Sequence, residues 1–242
     1  MQQHGPTFMQ KAAAWAVHLF TSSGLVAGFM AILAINEKDW RMAMIWLIVA
    51  LVIDGIDGTF ARMARTKEVL PEMDGKTIDY VIDFANYAII PAYFFYESQL
   101  VEEALRLPLT AMILLVSALY YGKQGMISDD HFFIGFPVLW NVVVFYLVFV
   151  WPPIAWISTA TVIFFCIIHF VPIKFLYPSQ TARFSKVTIP VTVIMLITLI
   201  VIVFFYPDQK LWLSILANLC LAYFGCMAVY NTWIEKPVVA KG

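Results

Sequence analysis

Four aspartates, Asp54, Asp57, Asp79 and Asp83, stand where carboxylates are costly. They fall in the stretch DGIDGTFARMARTKEVLPEMDGKTIDYVID, residues 54–83. Apolar runs flank it, MAMIWLIVALVI before and FANYAIIPAYFF after, and both are long enough to enter a bilayer. A carboxylate at a membrane centre costs about 2.5–3.5 kcal/mol on insertion scales, so four facing lipid would cost about 10 kcal/mol or more. The four acids must therefore face a polar site, and that site is the first candidate for function.

Spacing turns these residues into a constellation. Asp54, Asp57, Gly58, Ala61 and Arg62 fall at i, i+3, i+4, i+7 and i+8, on one side of an α-helix. Gly75, Asp79 and Asp83 recur at every fourth position and share a side of the next helix. Two antiparallel helices can thus point four carboxylates at one pocket. Oxygen-only ligation suits Mg²⁺, Mn²⁺ or Ca²⁺ and not zinc or iron. Gly58, Ala61 and Gly75 let something bulky approach the backbone, and Arg62 offers a planar fork for a phosphate. Metal, small residues and arginine together suggest a phosphoanhydride substrate.

The elements that carry this pocket must be membrane helices. Of 242 residues, 62% are hydrophobic and only 13% charged, against about half and about a quarter in a soluble domain. The expected architecture is an all-α integral membrane protein, a polytopic bundle of about eight transmembrane helices. They form one membrane-embedded catalytic domain over residues 1–242. The spans are expected near 13–35, 41–62, 75–96, 107–123, 132–151, 154–175, 186–206 and 210–233, with Pro152, Pro153 and Pro207 as punctuation. The acidic stretch joins the second and third. No charged segment precedes a short apolar run and a small-residue cleavage site, so no secretory signal peptide is expected. Cys166, Cys220 and Cys226 all lie in apolar runs and read as buried hydrophobes. The net charge of −1 gives no sign of a nucleic-acid partner.

Lys and Arg set the orientation. With the N-terminus inside, Lys11, Arg62, Arg65, Lys67, Lys76, Lys123, Lys174, Arg183, Lys186, Lys236 and Lys241 lie in the cytoplasm. Only Lys38, Arg41, Arg106 and Lys210 lie outside. Both termini and the Met63–Asp74 loop are expected to be cytoplasmic.

The pattern Asp54-x-x-Asp57-Gly58-x-x-Ala61-Arg62, then Gly75-x-x-x-Asp79-x-x-x-Asp83, resembles the signature of the CDP-alcohol phosphotransferases, with all eight positions present. Twelve residues, Met63 to Asp74, separate Arg62 from Gly75. That spacing is longer than in most of the family and is similar to that of its choline-using bacterial branch. Further matches to that branch are His18-Leu-Phe-Thr21, Phe133-Ile-Gly-Phe-Pro137-x-x-Trp140-Asn141 and Phe170-Val-Pro172-Ile-Lys174-Phe-x-Tyr177-Pro178. The resemblance covers most of the chain.

This resemblance implies roles. Asp54, Asp57 and Asp79 would hold Mn²⁺ or Mg²⁺, with Asp83 at the edge of the metal site and acting as general base. Asp54, Gly58, Ala61, Arg62, Gly75 and Asp79 would line the CDP part of the donor, with Thr21 as a further contact. The implied reaction joins CDP-diacylglycerol and choline to give phosphatidylcholine and CMP, in a bacterial inner membrane and in a homodimer. Choline carries a fixed positive charge best held by aromatic faces. Tyr80, Phe84, Tyr87, Tyr120 and Trp140 are the candidates, and Tyr121 and Phe133 also lie near. Lys174, Arg183 and Lys186 are candidates for lipid phosphate.

Each residue also has a structural explanation. The aspartates could pair with Arg62, Arg65 and Lys76, though intramembrane acids are functional by default. Arg65 and Lys67 suit topology, and for Lys174, Arg183 and Lys186 the two explanations weigh equally. Any single aromatic is by default core or lipid-facing. His18 and His169 have no partner His at ligand spacing and read as packing groups. Asp74 reads as a helix N-cap. The Thr21 hydroxyl could bond within its own helix. Serine, glycerol phosphate or inositol phosphate are alternative acceptors within the family, although an anionic acceptor would want more basic residues near the pocket. A divalent-cation transporter is a different class, but would have no use for Gly58, Ala61, Arg62 and Gly75. A non-catalytic CDP-lipid binder would not need Asp83.

Overall fold

Three helices in the first half of this chain begin where a side chain caps them: Thr7, Asp39 and Asp74. The computed structural model describes residues 5–178, 181 and 184–234, which form two compact units, Met1–Glu97 and Ser98–Gly242.

The first unit opens with α1, Phe8–Asn36. Thr7 caps it reciprocally: the Gln10 amide donates to Thr7 Oγ1 and the Thr7 amide to Gln10 Oε1. The buried face of α1 is mostly small, with Ala14, Thr21, Gly24, Ala27, Gly28, Ala31 and Ala34 at helical spacing around His18. Small side chains let α2, Trp40–Ala64, approach along its length. Asp39 caps α2 by accepting from the Met42 amide at 2.9 Å. Arg65, left-handed at φ 51°, ends it. A single turn, α3 (Thr66–Val69), leads to Asp74, which accepts from the Lys76 amide at 3.0 Å and the Thr77 hydroxyl at 2.8 Å. Those two bonds cap α4, Gly75–Phe84, and hold the exposed Asp74 carboxylate below its usual pKa. A π turn, Ala85–Ile89, then passes into α5, Ile90–Glu97. At its end Glu97 pairs with Lys38 from the α1–α2 turn.

Both α4 and α5 pack on α1. The tightest point is Asn86, whose buried Nδ2 donates to the Gly24 carbonyl at 3.1 Å. A Cβ on Gly28 would collide with Asn86 Oδ1 and come within 2.6 Å of Ile90 Cδ1. Gly24-x-x-x-Gly28 is a small-residue signal for such close approach.

The second unit contains α6 (Glu103–Tyr121), α7 (Trp140–Phe145, extended by a π turn to Val150), α8 (Ala155–Ile168), α9 (Ser185–Phe205) and α10 (Leu211–Val229, extended by a π turn to Ile234). Its core is aromatic, with Trp140, Phe145, Tyr146 and Phe149 all buried. The polar edges of these rings are used: Trp140 Nε1 donates to Ser117 Oγ at 2.9 Å and the Tyr146 hydroxyl to the Ala217 carbonyl at 2.6 Å.

Among the described residues, α1, α2, α6, α9 and α10 with its extension are long and apolar enough to cross a membrane. The Trp140–Val150 and Ala155–Ile168 helices are shorter and apolar. The expected third span, 75–96, is the α4–π–α5 run. Two stretches expected to be helical form strands instead. The stretch expected to start a helix at 132 instead forms β1, Phe132–Ile134, antiparallel to β2, Lys174–Leu176. Gly135 at φ 88° lies tight against the His169 carbonyl, and Pro137 has no amide to give, so no helix forms before Trp140. The expected 154–175 span ends at Ile168 for the same reason: β2 is the partner of β1, and Pro172 precedes it. The all-α membrane architecture otherwise stands as expected.

The Gly28–Asn86 contact gives a stability prediction. Gly28→Ala should lower the unfolding midpoint of the detergent-solubilised protein, since overpacking typically costs about 1–3 kcal/mol. Gly225→Ala, with nothing within 4 Å of the added carbon, should leave it unchanged or slightly raise it.

Candidate functional site

Helical spacing delivers the acids as the sequence leads one to expect. Asp54 and Asp57 project from α2, Asp79 and Asp83 from α4. One carboxylate oxygen from each of Asp54, Asp57 and Asp79 lies within 4.8 Å of the others. Asp83 lies beside Asp54, so the fourth acid adjoins the same group. Asp57 is the most enclosed, at 8% exposure; Asp54, Asp79 and Asp83 are half-buried.

Neighbouring groups of opposite character hold the cluster. The Thr21 hydroxyl on α1 lies beside the Asp57 carboxylate. The Tyr87 hydroxyl donates to Asp54 Oδ2 at 2.7 Å. Neither lysine nor arginine forms an ion pair with the four acids among the described residues; the pairs found there are Lys38–Glu97, Arg65–Glu68 and Lys174–Asp130. Three carboxylates this close repel one another, and a divalent cation would compensate them. The donor set fits one: ligand oxygens on opposite sides of a bound ion stand about 4.2 Å apart for magnesium and about 4.8 Å for calcium.

The remaining motif residues flank the acids on the same helices. Gly58 has room beside it, since the nearest group to an added Cβ is Arg62 Nη1 at 3.6 Å. Arg62 is exposed and its Nη2 donates to Thr59 Oγ1 at 3.0 Å. Ala61 is half-buried between them. Gly75 lies under His18, whose Cε1 would stand 3.3 Å from an added Cβ. The packing explanation for His18 is thus visible, though its buried Nε2 has no partner among the described residues.

The aromatic candidates divide between the units. Tyr80 is 49% exposed, Phe84 half-buried and Tyr87 buried, all on the α4–π segment that carries Asp79 and Asp83. Tyr120 and Trp140 belong to the second unit, at 3% and 0% exposure. There Trp140 stacks on His169 and Tyr120 meets His169 edge-on. Lys174 Nζ is paired with Asp130 at 2.6 Å and lies over the Phe132 ring. Lys186 is exposed, and Arg183 lies outside the described residues.

The sequence offers the Tyr87 ring as a candidate face for choline and gives no role to its hydroxyl. The signal was available: Gly75, Asp79, Asp83 and Tyr87 form one four-residue row. Asn86 as the anchor to α1 was also missed, and the glycine pair facing it was its signal.

Comparison with known proteins agrees with this geometry. No protein-family model matches the chain. It is 39% identical over 193 residues to the phosphatidylcholine synthase of Borreliella burgdorferi, covering 79% of this chain and 81% of that protein. It is 36% identical over 235 residues to the phosphatidylcholine synthase of Brucella melitensis, covering 96% and 85%. With the phosphatidylcholine synthase of Pseudomonas aeruginosa the identity is 38% over 194 residues, covering 79% and 80%. Identity of this level over most of both chains, on a helical membrane scaffold with an acid cluster, places the chain in the phosphatidylcholine synthase family.

Proposed function

We propose that this chain condenses CDP-diacylglycerol with choline to give phosphatidylcholine and CMP, within the wider CDP-alcohol phosphotransferase family. What carries the reading is the meeting of Asp54, Asp57 and Asp79 oxygens within 4.8 Å in a chain that aligns over most of its length with phosphatidylcholine synthases. The eight-point motif supports the wider family, because each of its positions has a use in handling a pyrophosphate.

Asp54, Asp57 and Asp79 hold Mn²⁺ or Mg²⁺, and what the bound cation supplies is neutralisation of the pyrophosphate charge, which makes CMP a better leaving group. Arg62 offers its guanidinium to a phosphate. Gly58, Ala61 and Gly75 keep the helix surfaces low where the CDP moiety lies, and Thr21 steadies Asp57 beside it. Asp83 takes the proton of the choline hydroxyl. That oxygen attacks the β-phosphorus, the bond from this phosphorus to the bridging oxygen breaks, and CMP leaves with the electron pair. Choline cannot be recognised through a proton, so aromatic faces serve it. Tyr80, Phe84 and Tyr87 lie on the helix that carries Asp83, and Tyr87 touches the acid cluster directly. The active site faces the cytoplasm of a bacterial inner membrane, as the Lys and Arg asymmetry supports.

Purified protein given labelled CDP-diacylglycerol and a panel of alcohols should use choline above serine, glycerol phosphate or inositol phosphate. EDTA should abolish the turnover, and Mn²⁺ or Mg²⁺ should restore it. Preference for another acceptor would move the chain elsewhere in the wider family; full activity without metal would remove the mechanism.

Asp83 and Asp57 should separate by role. Asp83→Asn removes the base, and general-base help is worth about 10²–10⁴-fold, so turnover should fall in that range while CMP binding with Mn²⁺ weakens far less. Asp57→Asn should lose both. Equal loss of CMP binding in the two variants would make Asp83 chiefly a metal ligand.

The orientation is checked by a single cysteine in the Met63–Asp74 loop. It should resist membrane-impermeant thiol reagents in intact cells and react once the cells are opened. Labelling from outside would invert the topology.

A further inference from the structure

The acid cluster has a neutral neighbour, the Tyr87 hydroxyl, that the proposed chemistry does not use. We infer that Tyr87 is a positioning residue for the metal-binding acids: its hydroxyl fixes the Asp54 carboxylate so that the other oxygen, Oδ1, is presented to the cation shared with Asp57 and Asp79. This inference rests on the metal site of the proposed function and adds a residue to it.

Geometry supports it in three ways. First, Tyr87 completes the row Gly75, Asp79, Asp83, Tyr87. In a straight α-helix, residues four apart drift by about 40° per step around the axis. The π turn at Ala85–Ile89 winds less per residue, which offsets that drift and returns Tyr87 towards α2. Second, its hydroxyl reaches Asp54 Oδ2 at 2.7 Å and leaves the ring 6% exposed, so the group is enclosed where it acts. Third, the adjacent Asn86 binds the Gly24 carbonyl on α1. Two successive residues of one wide turn thus grip two different helices, and the tyrosine is held from the far side.

The chemistry requires such a group. Asp54 stands beside Asp57, Asp79 and Asp83, and mutual repulsion favours swinging it away. A cationic partner would hold it but would compete with the metal for the same charge. A phenol holds one oxygen and carries no charge. Hydrogen-bonded partners of metal ligands typically contribute 10–100-fold in affinity or activity, on the order of what one donor can give here.

Tyr87→Phe keeps the ring and removes only the hydroxyl. Full-length wild type and variant, purified in nanodiscs, would be titrated with Mn²⁺, reading free ion by electron paramagnetic resonance. The variant should bind Mn²⁺ about tenfold more weakly. Its kcat should recover largely at saturating Mn²⁺, and its KM for choline should change little. Equal Mn²⁺ affinity in the two proteins overturns the inference and leaves the proposed function standing. A raised choline KM at unchanged Mn²⁺ affinity overturns it too, since the hydroxyl then serves the acceptor. If wild type itself binds no Mn²⁺, the metal reading fails and the positioning role falls with it.

Discussion

Mutual repulsion among four carboxylates, set in helices that must otherwise be apolar, is the constraint on which this structure turns. Charged groups in a low-dielectric medium are tolerated when they are paired or ligated. The chain does not provide ion pairs to these acids among its described residues. It provides neutral hydroxyls from the helices on either side, Tyr87 donating to Asp54 and Thr21 beside Asp57. Neutral donors steady the acids without quenching their negative charge, so the cluster keeps its appetite for a cation.

Placement of those donors depends on close helix packing. Thr21 can reach Asp57 because α1 and α2 are brought together by alanines and glycines. Larger side chains on that seam would separate the helices and withdraw the hydroxyl. In lipid there is little hydrophobic drive between helices, so packing of small residues and buried polar bonds must supply it. The Asn86 bond to Gly24 is one such link, and it lies one residue from Tyr87. The seam that stabilises the unit and the acid cluster are therefore built from neighbouring residues.

The acid cluster was legible in the sequence because its geometry follows helical periodicity. Asp54 with Asp57 and Asp79 with Asp83 fall on helix faces that spacing alone defines. Tyr87 was harder to read, since a π turn changes the period at the very place where the reading needs it constant. The β1–β2 ribbon escaped for a different reason. Phe132 to Phe136 is apolar enough to pass for the start of a span, and only Gly135 and Pro137 signal otherwise. The aromatic residues were least legible: composition cannot tell Trp140, deep in the second unit, from Tyr87, against an aspartate.

The wide turn at Ala85–Ile89 has one more consequence. It is a shim of one residue in an otherwise continuous rod, and it separates two angular phases. Before it, the row that matters carries acids towards α2; after it, Ile90, Pro91, Ala92, Phe94 and Phe95 are buried. Each residue of an α-helix turns the chain by about 100°. Removing the shim would leave helicity intact while rotating everything beyond it by that angle relative to the acids. The two halves of this helix are thus independently tunable in composition but locked in number, and a change of length here would be felt as a change of direction.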